Sequence, residues 1–377
     1  MRVLHIIVGL DVGGAESMLM RLIESNPLNI PETVIISLTS IGVIGESLSM
    51  SGVAVYALGM KTPLDVPMTL RRLVILIRSI KPDVVQTWMY HADLLGGLAA
   101  RIAGIRNVVW GIRTTNICNS PSSTKLVRWF CAKFSSWLPV VIICGAEASK
   151  HSHIYAGYDA RKMVVVPNGY DFSSLQASAS ERTTLREQVG INSNEIVVGC
   201  LGRFHADKDQ ENFVRAAGLL APSFPQLRFL MVGRNLTWDN SLLVDWINQT
   251  GFRNRFVLLG ERQDVPQCLA AMDIFCLHSR TEGFPNVLAE AMAIGLPCIT
   301  TDVGDAAMLL SDAGVVVPKE DSAALAKGIE SLIDFGHETR SILGLKAKAR
   351  VEAQFSMERA RERFESIYQQ MLPIKVS

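Results

Sequence analysis

The chain is 377 residues long, more than one hydrophobic core comfortably organises, so length predicts two domains, with a third still in reach. With 49% hydrophobic and 19% charged residues it has the make-up of an ordinary globular protein. A net charge of +1 excludes a nucleic-acid binder that works through bulk positive charge.

The chain opens with "MRVLHIIVGLDVGGAE", apolar for only a few residues before it turns to Asp and Gly, which reads as a first β-strand rather than a signal peptide. Gly9, Gly13 and Gly14 follow that strand and precede the helical periodicity of "AESMLMRLIES". Adjacent glycines let a backbone come close to a ligand, and a helix N-terminus offers unpaired N–H groups to an anion; the alternative is a plain strand-to-helix turn. The spacing is not G-x-G-x-x-G, which argues against a nicotinamide cofactor. The next strands are "ETVIISL", "VAVYAL", "DVVQTW", "NVVWGI", "PVVIIC" and "MVVVP", alternating with helical stretches such as "LLGGLAARIAG". Near-continuous Val/Ile runs of this kind predict a parallel sheet covered on both faces.

Three features of this half invite a functional reading. His91, in "VVQTWMYHADLLGG", either faces a ligand cleft as a hydrogen-bond donor or proton acceptor, or caps a helix starting near Ala92. Residues 125–139, "KLVRWFCAKFSSWLP", form a basic-aromatic helix that either lies on a membrane surface or packs with snorkelling cations. His151 and His153 have no third ligand nearby and read as surface residues rather than a zinc site.

A Ser-, Asn- and Gly-rich stretch then interrupts the pattern, and residues 169–190 are assigned to a linker between a domain of residues 1–168 and one of residues 191–355. The alternation restarts with "EIVVGCLGR", "LRFLMVG", "RFVLLG", "MDIFCLHS", "LPCITT" and "GVVVP". The expected architecture is α/β: two Rossmann-like, doubly wound domains with a cleft between them, followed by one amphipathic helix in residues 356–377. Ligands of open α/β sheets bind at the carboxyl ends of the strands, and each motif here falls just after a strand.

In "CLGRFHADKDQENF", Arg203 ends a strand and Lys208 follows five residues later, two cations suited to a diphosphate. Asp207 and Asp209 form a D-x-D, read as charges favourable to the start of a helix rather than as metal ligands. In "SRTEGFPNVLAEAMAIGLPC", Glu282 precedes a helix with Pro285 at its first position, Glu290 lies on that helix, and Gly295 closes it. The two glutamates cannot stack on one helical face, but flanking a helix N-terminus they can grip two parts of one ligand with phosphates between them.

The charge is uneven: residues 1–175 hold 16 Lys and Arg against 11 Asp and Glu, which permits contact with anionic lipid or an anionic substrate. The seven cysteines form no C-x-x-C pair and most sit in apolar runs, as in a reducing cytosol. No uncharged apolar run is long enough to span a bilayer, so the expectation is a soluble cytoplasmic chain, at most peripheral at the inner face of the plasma membrane.

Gly13-Gly14-Ala15-Glu16, Arg203 with Lys208, "PNGYD" at the linker and "EGFPNVLAEAMAIGLPCITTDVG" resemble the group 1 (family 4) retaining glycosyltransferases of the GT-B fold, bacterial surface-polysaccharide type, almost from end to end. The resemblance implies an N-terminal acceptor-binding domain, a C-terminal nucleotide-sugar-binding domain and a last helix that crosses back onto the N-terminal domain. It places Glu282 in the sugar and active-site region, Glu290 on the ribose hydroxyls, and Arg203 and Lys208 on the diphosphate. Backbone N–H groups of Phe284, Pro285, Asn286, Val287 and Leu288 would meet the sugar and phosphates, while Gly13 or Gly14 would approach the donor phosphate or the acceptor. Arg262, in "GERQDV", is a candidate for selecting the base or sugar epimer. One departure stands out: many members carry a histidine where "VVQTW" ends, and this chain has Trp88 there, with His91 three residues on as the candidate catalytic histidine.

The implied partners are a nucleotide-sugar donor, UDP-linked in preference to GDP-linked, and a glycan or polyprenyl-linked acceptor, with peripheral contact with an anionic membrane and no nucleic acid. No metal and no other cofactor is implied, because the two cations and the helix N-terminus can neutralise the leaving diphosphate. The competing readings are a nucleotide-sugar epimerase of the same fold and a non-catalytic nucleotide-sugar-binding subunit.

Overall fold

In the computed structural model, which describes residues 1–115, 121–172 and 175–372, all thirteen β-branched runs are strands of two parallel sheets. The chain divides into two compact units, one of residues 1–170 with the last segment from Met357, the other of residues 171–356.

In the first unit β1 (Val3–Ile7), β2 (Thr33–Ser37), β3 (Ala54–Ala57), β4 (Val84–Trp88), β5 (Val108–Ile112), β6 (Val141–Cys144) and β7 (Met163–Val165) lie in the order β3-β2-β1-β4-β5-β6-β7. Every residue of β1, β2, β4 and β5 is buried, which is why these runs are continuous rather than alternating. The strand period of two sends Leu4 and Ile6 into one core with Leu73, Ile77 and Trp110. Val3 and Ile7 enter a second core with Met18, Leu19 and Phe364. The covering helices are α1 (Gly14–Glu24), α2 (Gly42–Met50), α3 (Val66–Ile80), α4 (Tyr90–Ala103), α5 (Ser122–Phe134) and α6 (Glu147–Tyr155).

The chain's last helix, Met357–Gln370, belongs to this unit. Its Phe364 is fully buried, with its ring centroid 6.0 Å from that of Trp88, and the Arg113 guanidinium sits 5.4 Å from the centre of each ring. Tyr368 donates to Gln86 at 3.3 Å and Asn26 donates to Glu365 at 2.8 Å.

The second unit carries β8 (Ile196–Leu201), β9 (Leu227–Val232), β10 (Phe256–Gly260), β11 (Ile274–Leu277), β12 (Cys298–Thr301) and β13 (Gly314–Val317), in the order β10-β9-β8-β11-β12-β13. Its helices are α7 (Ala179–Gln188), α8 (Gln210–Leu220), α9 (Ser241–Gln249), α10 (Val265–Ala270), α11 (Asn286–Ile294), α12 (Ala306–Leu310), α13 (Ser322–Asp334) and α14 (Gly336–Phe355); the chain's last helix is α15.

Two expectations need correction. The stretch read as a linker holds α7, a helix of the second unit, started by a capping box in which Ser178 and Glu181 satisfy each other's backbone N–H groups. Serine-rich composition hid it, although Ser-x-x-Glu was the available signal. His153 is not a surface residue: it is fully buried, with Nε2 2.7 Å from the Tyr90 hydroxyl and Nδ1 2.7 Å from the Ser149 carbonyl. Two residues apart on a helix point to opposite sides, so His151 is exposed while His153 turns inward. Six cysteines are buried and unpaired; Cys118 lies outside the described residues.

Asp93 of α4 is a buried carboxyl that no expectation singled out. Its Oδ1 accepts from Thr87 Oγ1 at 2.5 Å and from the Gly111 amide at 3.4 Å, while buried Oδ2 has no hydrogen-bond partner. Burial pushes its pKa up to about 7. A carboxyl raised in the fold contributes stability that is full below the unfolded value and is lost as pH rises through about 7. Buried His5, His153 and His278, pushed down to about 3, 4 and 4, act in the opposite sense across the acid range. The difference between Asp93→Asn and wild type isolates the carboxyl: the variant is expected to gain relative stability from pH 5 to pH 8, by roughly 2–4 kcal/mol, in chemical denaturation at each pH. A pH-independent difference would show that Asp93 is ionised in the fold.

Candidate active site

The loops that follow β8, β9 and β10 are laced together by backbone hydrogen bonds. Gly202 donates to Val232 at 2.9 Å and Gly233 donates to Gly260 at 2.7 Å. Gly233 has φ +146°, and a Cβ there would fall 2.1 Å from the Gly202 carbonyl oxygen, so this approach requires glycine. Arg203, Arg234, Glu261 and Arg262 line a pocket of about 250 Å³ above these loops. Arg234 pairs with Glu261 at 3.1 Å, and Arg262 is held by two bonds to Asp264, at 2.8 and 2.6 Å. The Arg203 side chain is exposed, and its carbonyl accepts from Gln210 at 2.9 Å.

Lys208 ends a short 3₁₀ turn, Ala206–Lys208, and its Nζ lies 2.5 Å from Glu282 Oε1. The same oxygen accepts from Ser279 Oγ at 2.6 Å, and the Glu282 side chain is only 11% exposed. The Glu282 loop is braced from the end of β12: Thr301 Oγ1 donates to the Ser279 carbonyl at 2.8 Å and the Asp305 amide to the Gly283 carbonyl at 2.9 Å. Gly304 sits at φ +53°, where a Cβ would fall 2.4 Å from the Glu282 carbonyl oxygen.

Lys208 follows β8 and Glu282 follows β11. These strands are neighbours at the point where the sheet order reverses, so the pair occupies the crevice where open α/β sheets bind ligands. His278, which ends the same β11 region, was missed in the sequence. It is buried against Phe213, ring centroids 5.1 Å apart, and burial pushes its pKa down to about 4 with opposing hydrogen bonding to the Lys208 backbone. Its signal was a histidine at the end of an otherwise apolar strand.

The D-x-D carboxylates go to different partners. Asp209 is buried and 2.7 Å from Arg280 Nη2, while Asp207 lies 3.4 Å from His205 Nδ1. Among the described residues no group of three His, Cys, Asp or Glu could hold a metal ion.

At α11, Pro285 is the capping residue rather than the first helical one, and the helix begins at Asn286. Not all five backbone groups expected to meet the sugar and phosphates can donate. Proline has no N–H, and the Leu288 amide is engaged with the Pro285 carbonyl at 3.1 Å. Asn286 and Val287 form the first turn, Phe284 packs on Phe355 with ring centroids 5.4 Å apart, and Glu290 is a half-buried residue further along the helix. Gly295 closes α11 in the left-handed conformation, as its position predicts.

In the first unit the order reverses between β1 and β4, and the expected residues again flank that point. Gly13 caps α1 and Gly14 begins it, with nothing within 4 Å of where a Gly14 Cβ would stand. His91 is half-buried in the first turn of α4, and burial lowers its pKa. It does not cap a helix at Ala92, because α4 already starts at Tyr90, after Met89 with φ +70°. Trp88 is a packing residue: it is fully buried and its Nε1 donates to His5 Nδ1 at 3.2 Å.

Comparison with known proteins gives this geometry a family. Residues 12–174 match the model of glycosyltransferase family 4, and residues 195–334 match that of glycosyl transferases group 1. The chain is 31% identical over 233 residues to the Escherichia coli UDP-Gal:alpha-D-GlcNAc-diphosphoundecaprenol alpha-1,3-galactosyltransferase, a match that spans 60% of each chain. It is 26% identical over 312 residues to the capsular polysaccharide biosynthesis glycosyltransferase CapM of Staphylococcus aureus, spanning 81% of each. Its fold matches Anabaena Alr3699/HepE in complex with UDP, with a TM-score of 0.86 at 22% identity over 98% of this chain and 100% of that one. Two family models that together take in most of the chain, on two Rossmann-like parallel-sheet units, establish that the protein belongs to the group 1, family 4 glycosyltransferases of the GT-B fold.

Proposed function

We propose that the protein transfers a sugar, with retention of anomeric configuration, from a UDP-sugar to a glycan or polyprenyl-linked acceptor in bacterial surface polysaccharide or lipopolysaccharide assembly, at an anionic membrane face. The observation that carries this reading is the Lys208–Glu282 pair at the switch point of the second sheet. The E. coli relative takes its name from a UDP-linked donor and a diphosphoundecaprenol-linked acceptor, and HepE was crystallised with UDP; both favour uridine over guanosine, and the first favours a lipid-carried acceptor.

The chemistry follows from the charges. As the bond from the sugar to the leaving phosphate breaks, negative charge grows on the diphosphate. Arg203, Lys208 and the N-terminus of α11 are the groups available to stabilise it where it develops. Lys208 carries three donors, so it can meet a phosphate while still holding Glu282, which would orient the sugar. Glu290 would grip the ribose and Arg262 the base end of the donor. Retention implies attack from the leaving-group face, with a phosphate oxygen helping to take the acceptor proton; His91 and the Gly13-Gly14 turn would lie on the acceptor side. A divalent ion is not needed in this reading, because the protein's own cations fill that role.

Calorimetry with UDP and GDP, with and without EDTA, tests the donor side. UDP is expected to bind equally well in both conditions and more tightly than GDP. Binding that requires a divalent ion, or no binding of either nucleotide, would overturn the assignment and return attention to Asp207 and Asp209. Nucleotide release that depends on added acceptor would separate a transferase from an epimerase or a non-catalytic subunit.

A further inference from the structure

The helix α5 turns its apolar stripe outward. Leu126, Trp129, Phe130 and Phe134 of the helix and Trp137 in the turn after it recur at helical spacing with Lys133 among them, and all six are exposed, Trp129 to 52% and Trp137 to 57%. Its buried side consists of Cys131 and Ala132. A helix that served only to pack would do the reverse. The aromatic rings are contiguous: centroids of Trp129 and Phe130 lie 5.0 Å apart, Phe130 and Phe134 6.5 Å, and Phe134 and Trp137 6.3 Å. Contiguous exposed aromatics on a folded unit mark an interaction surface.

Charge identifies the partner. Lys125 and Lys133 are exposed on this helix, and the Lys133 ammonium lies 5.7 Å from the centre of the Trp129 ring. Neither lysine forms a salt bridge among the described residues. From residue 94 to residue 146 the sequence has six Lys and Arg and no Asp or Glu. α4 packs against α5 and α3 against α4, and α3 adds exposed Arg71, Arg72 and Arg78 to the same layer. Tryptophans settle at the headgroup level of a bilayer, and lysines are drawn to anionic lipid. An apolar protein partner would have no use for the unpaired cations.

We propose that α5 and the turn at Trp137 dock the first unit onto an anionic phospholipid surface, the aromatic rings entering the headgroup region and Lys125 and Lys133 meeting lipid phosphates. The proposal rests on the lipid-carried acceptor inferred above and names the surface by which the enzyme would reach it.

The test uses the full chain with vesicles of phosphatidylglycerol mixed with phosphatidylcholine, and with phosphatidylcholine alone, reading sedimentation and tryptophan emission. Sedimentation with the anionic vesicles only, a blue shift in emission and release by high salt are expected. Trp129→Ala/Trp137→Ala and Lys125→Glu/Lys133→Glu should each lower the partition coefficient roughly tenfold or more, with circular dichroism unchanged. Wild type that stays in the supernatant, or variants that partition like wild type, would overturn the proposal. So would a concentration-dependent dimer abolished by the tryptophan variant, which would assign the patch to a second copy. UDP binding is measured on the same samples: intact UDP binding with failed vesicle binding sinks the docking surface alone, whereas absent UDP binding sinks the donor reading instead.

Discussion

Replacing Lys208 by alanine is expected to weaken UDP binding by about 1.5–3 kcal/mol, roughly ten- to a hundredfold, as for loss of a charged hydrogen bond. Two consequences combine. The diphosphate loses the cation at the switch point, and Glu282, with a side chain only 11% exposed, loses one of the two donors to its Oε1 and keeps Ser279 Oγ. Turnover should suffer more than binding, because the charge that Lys208 faces grows as the leaving group departs; a fall in kcat of about a hundredfold is expected. Lys208→Arg should recover binding in part and turnover less, since a rigid planar fork cannot reproduce a point charge placed between a carboxylate and a phosphate. Calorimetry and initial rates on the three proteins decide the matter. UDP affinity unchanged in Lys208→Ala would remove this residue from the donor site.

The largest stability effect is expected at Asp273, far from any proposed chemistry. This carboxylate joins α7 to the second sheet: Arg182 reaches Oδ1 at 2.6 Å, Arg186 reaches Oδ2 at 2.6 Å, and the Val197 amide donates to Oδ2 at 2.8 Å. The Arg186 side chain is 8% exposed and that of Asp273 21%. Asp273→Ala would strand a buried guanidinium, at a cost of about 3–5 kcal/mol, nearer the lower figure because Arg182 is partly solvated. For a unit of this size that corresponds to a fall in Tm of roughly 10 °C, visible in the transition of the second unit by calorimetry. Adding Arg186→Met should restore part of the loss, because it removes the stranded charge rather than adding a contact. A loss below about 1 kcal/mol would mean that solvent already screens the cluster.

The fold was legible because its signal is local and repeated. Unbroken Val/Ile runs such as "VVQTW" and "PVVIIC" record burial on both faces of a parallel strand, and a turn or helical stretch separates each from the next. The candidate site was legible for a related reason, since ligand groups follow strand ends and the residues after β8 and β11 could be named in advance. What lay outside reach was direction. A helix in the Ser-rich stretch is held by Arg182 and Arg186 meeting Asp273 some ninety residues away, a pairing with no local trace. His153 reads as polar, and only the Tyr90 hydroxyl and Ser149 carbonyl make its burial tolerable.

By itself, then, the sequence determined thirteen strands, their parallel pairing, the cations after β8 and the glutamates around α11, because each depends on residue types a few positions apart. Only the tertiary structure decided that Lys208 and Glu282, 74 residues apart in the chain, meet at 2.5 Å. Only it decided that the aromatic stripe of α5 faces outward and that Trp88 packs on Phe364. Helical and strand periodicity fix which residues share a face. Which way that face turns depends on what the rest of the chain has left unfilled, and no local pattern records that.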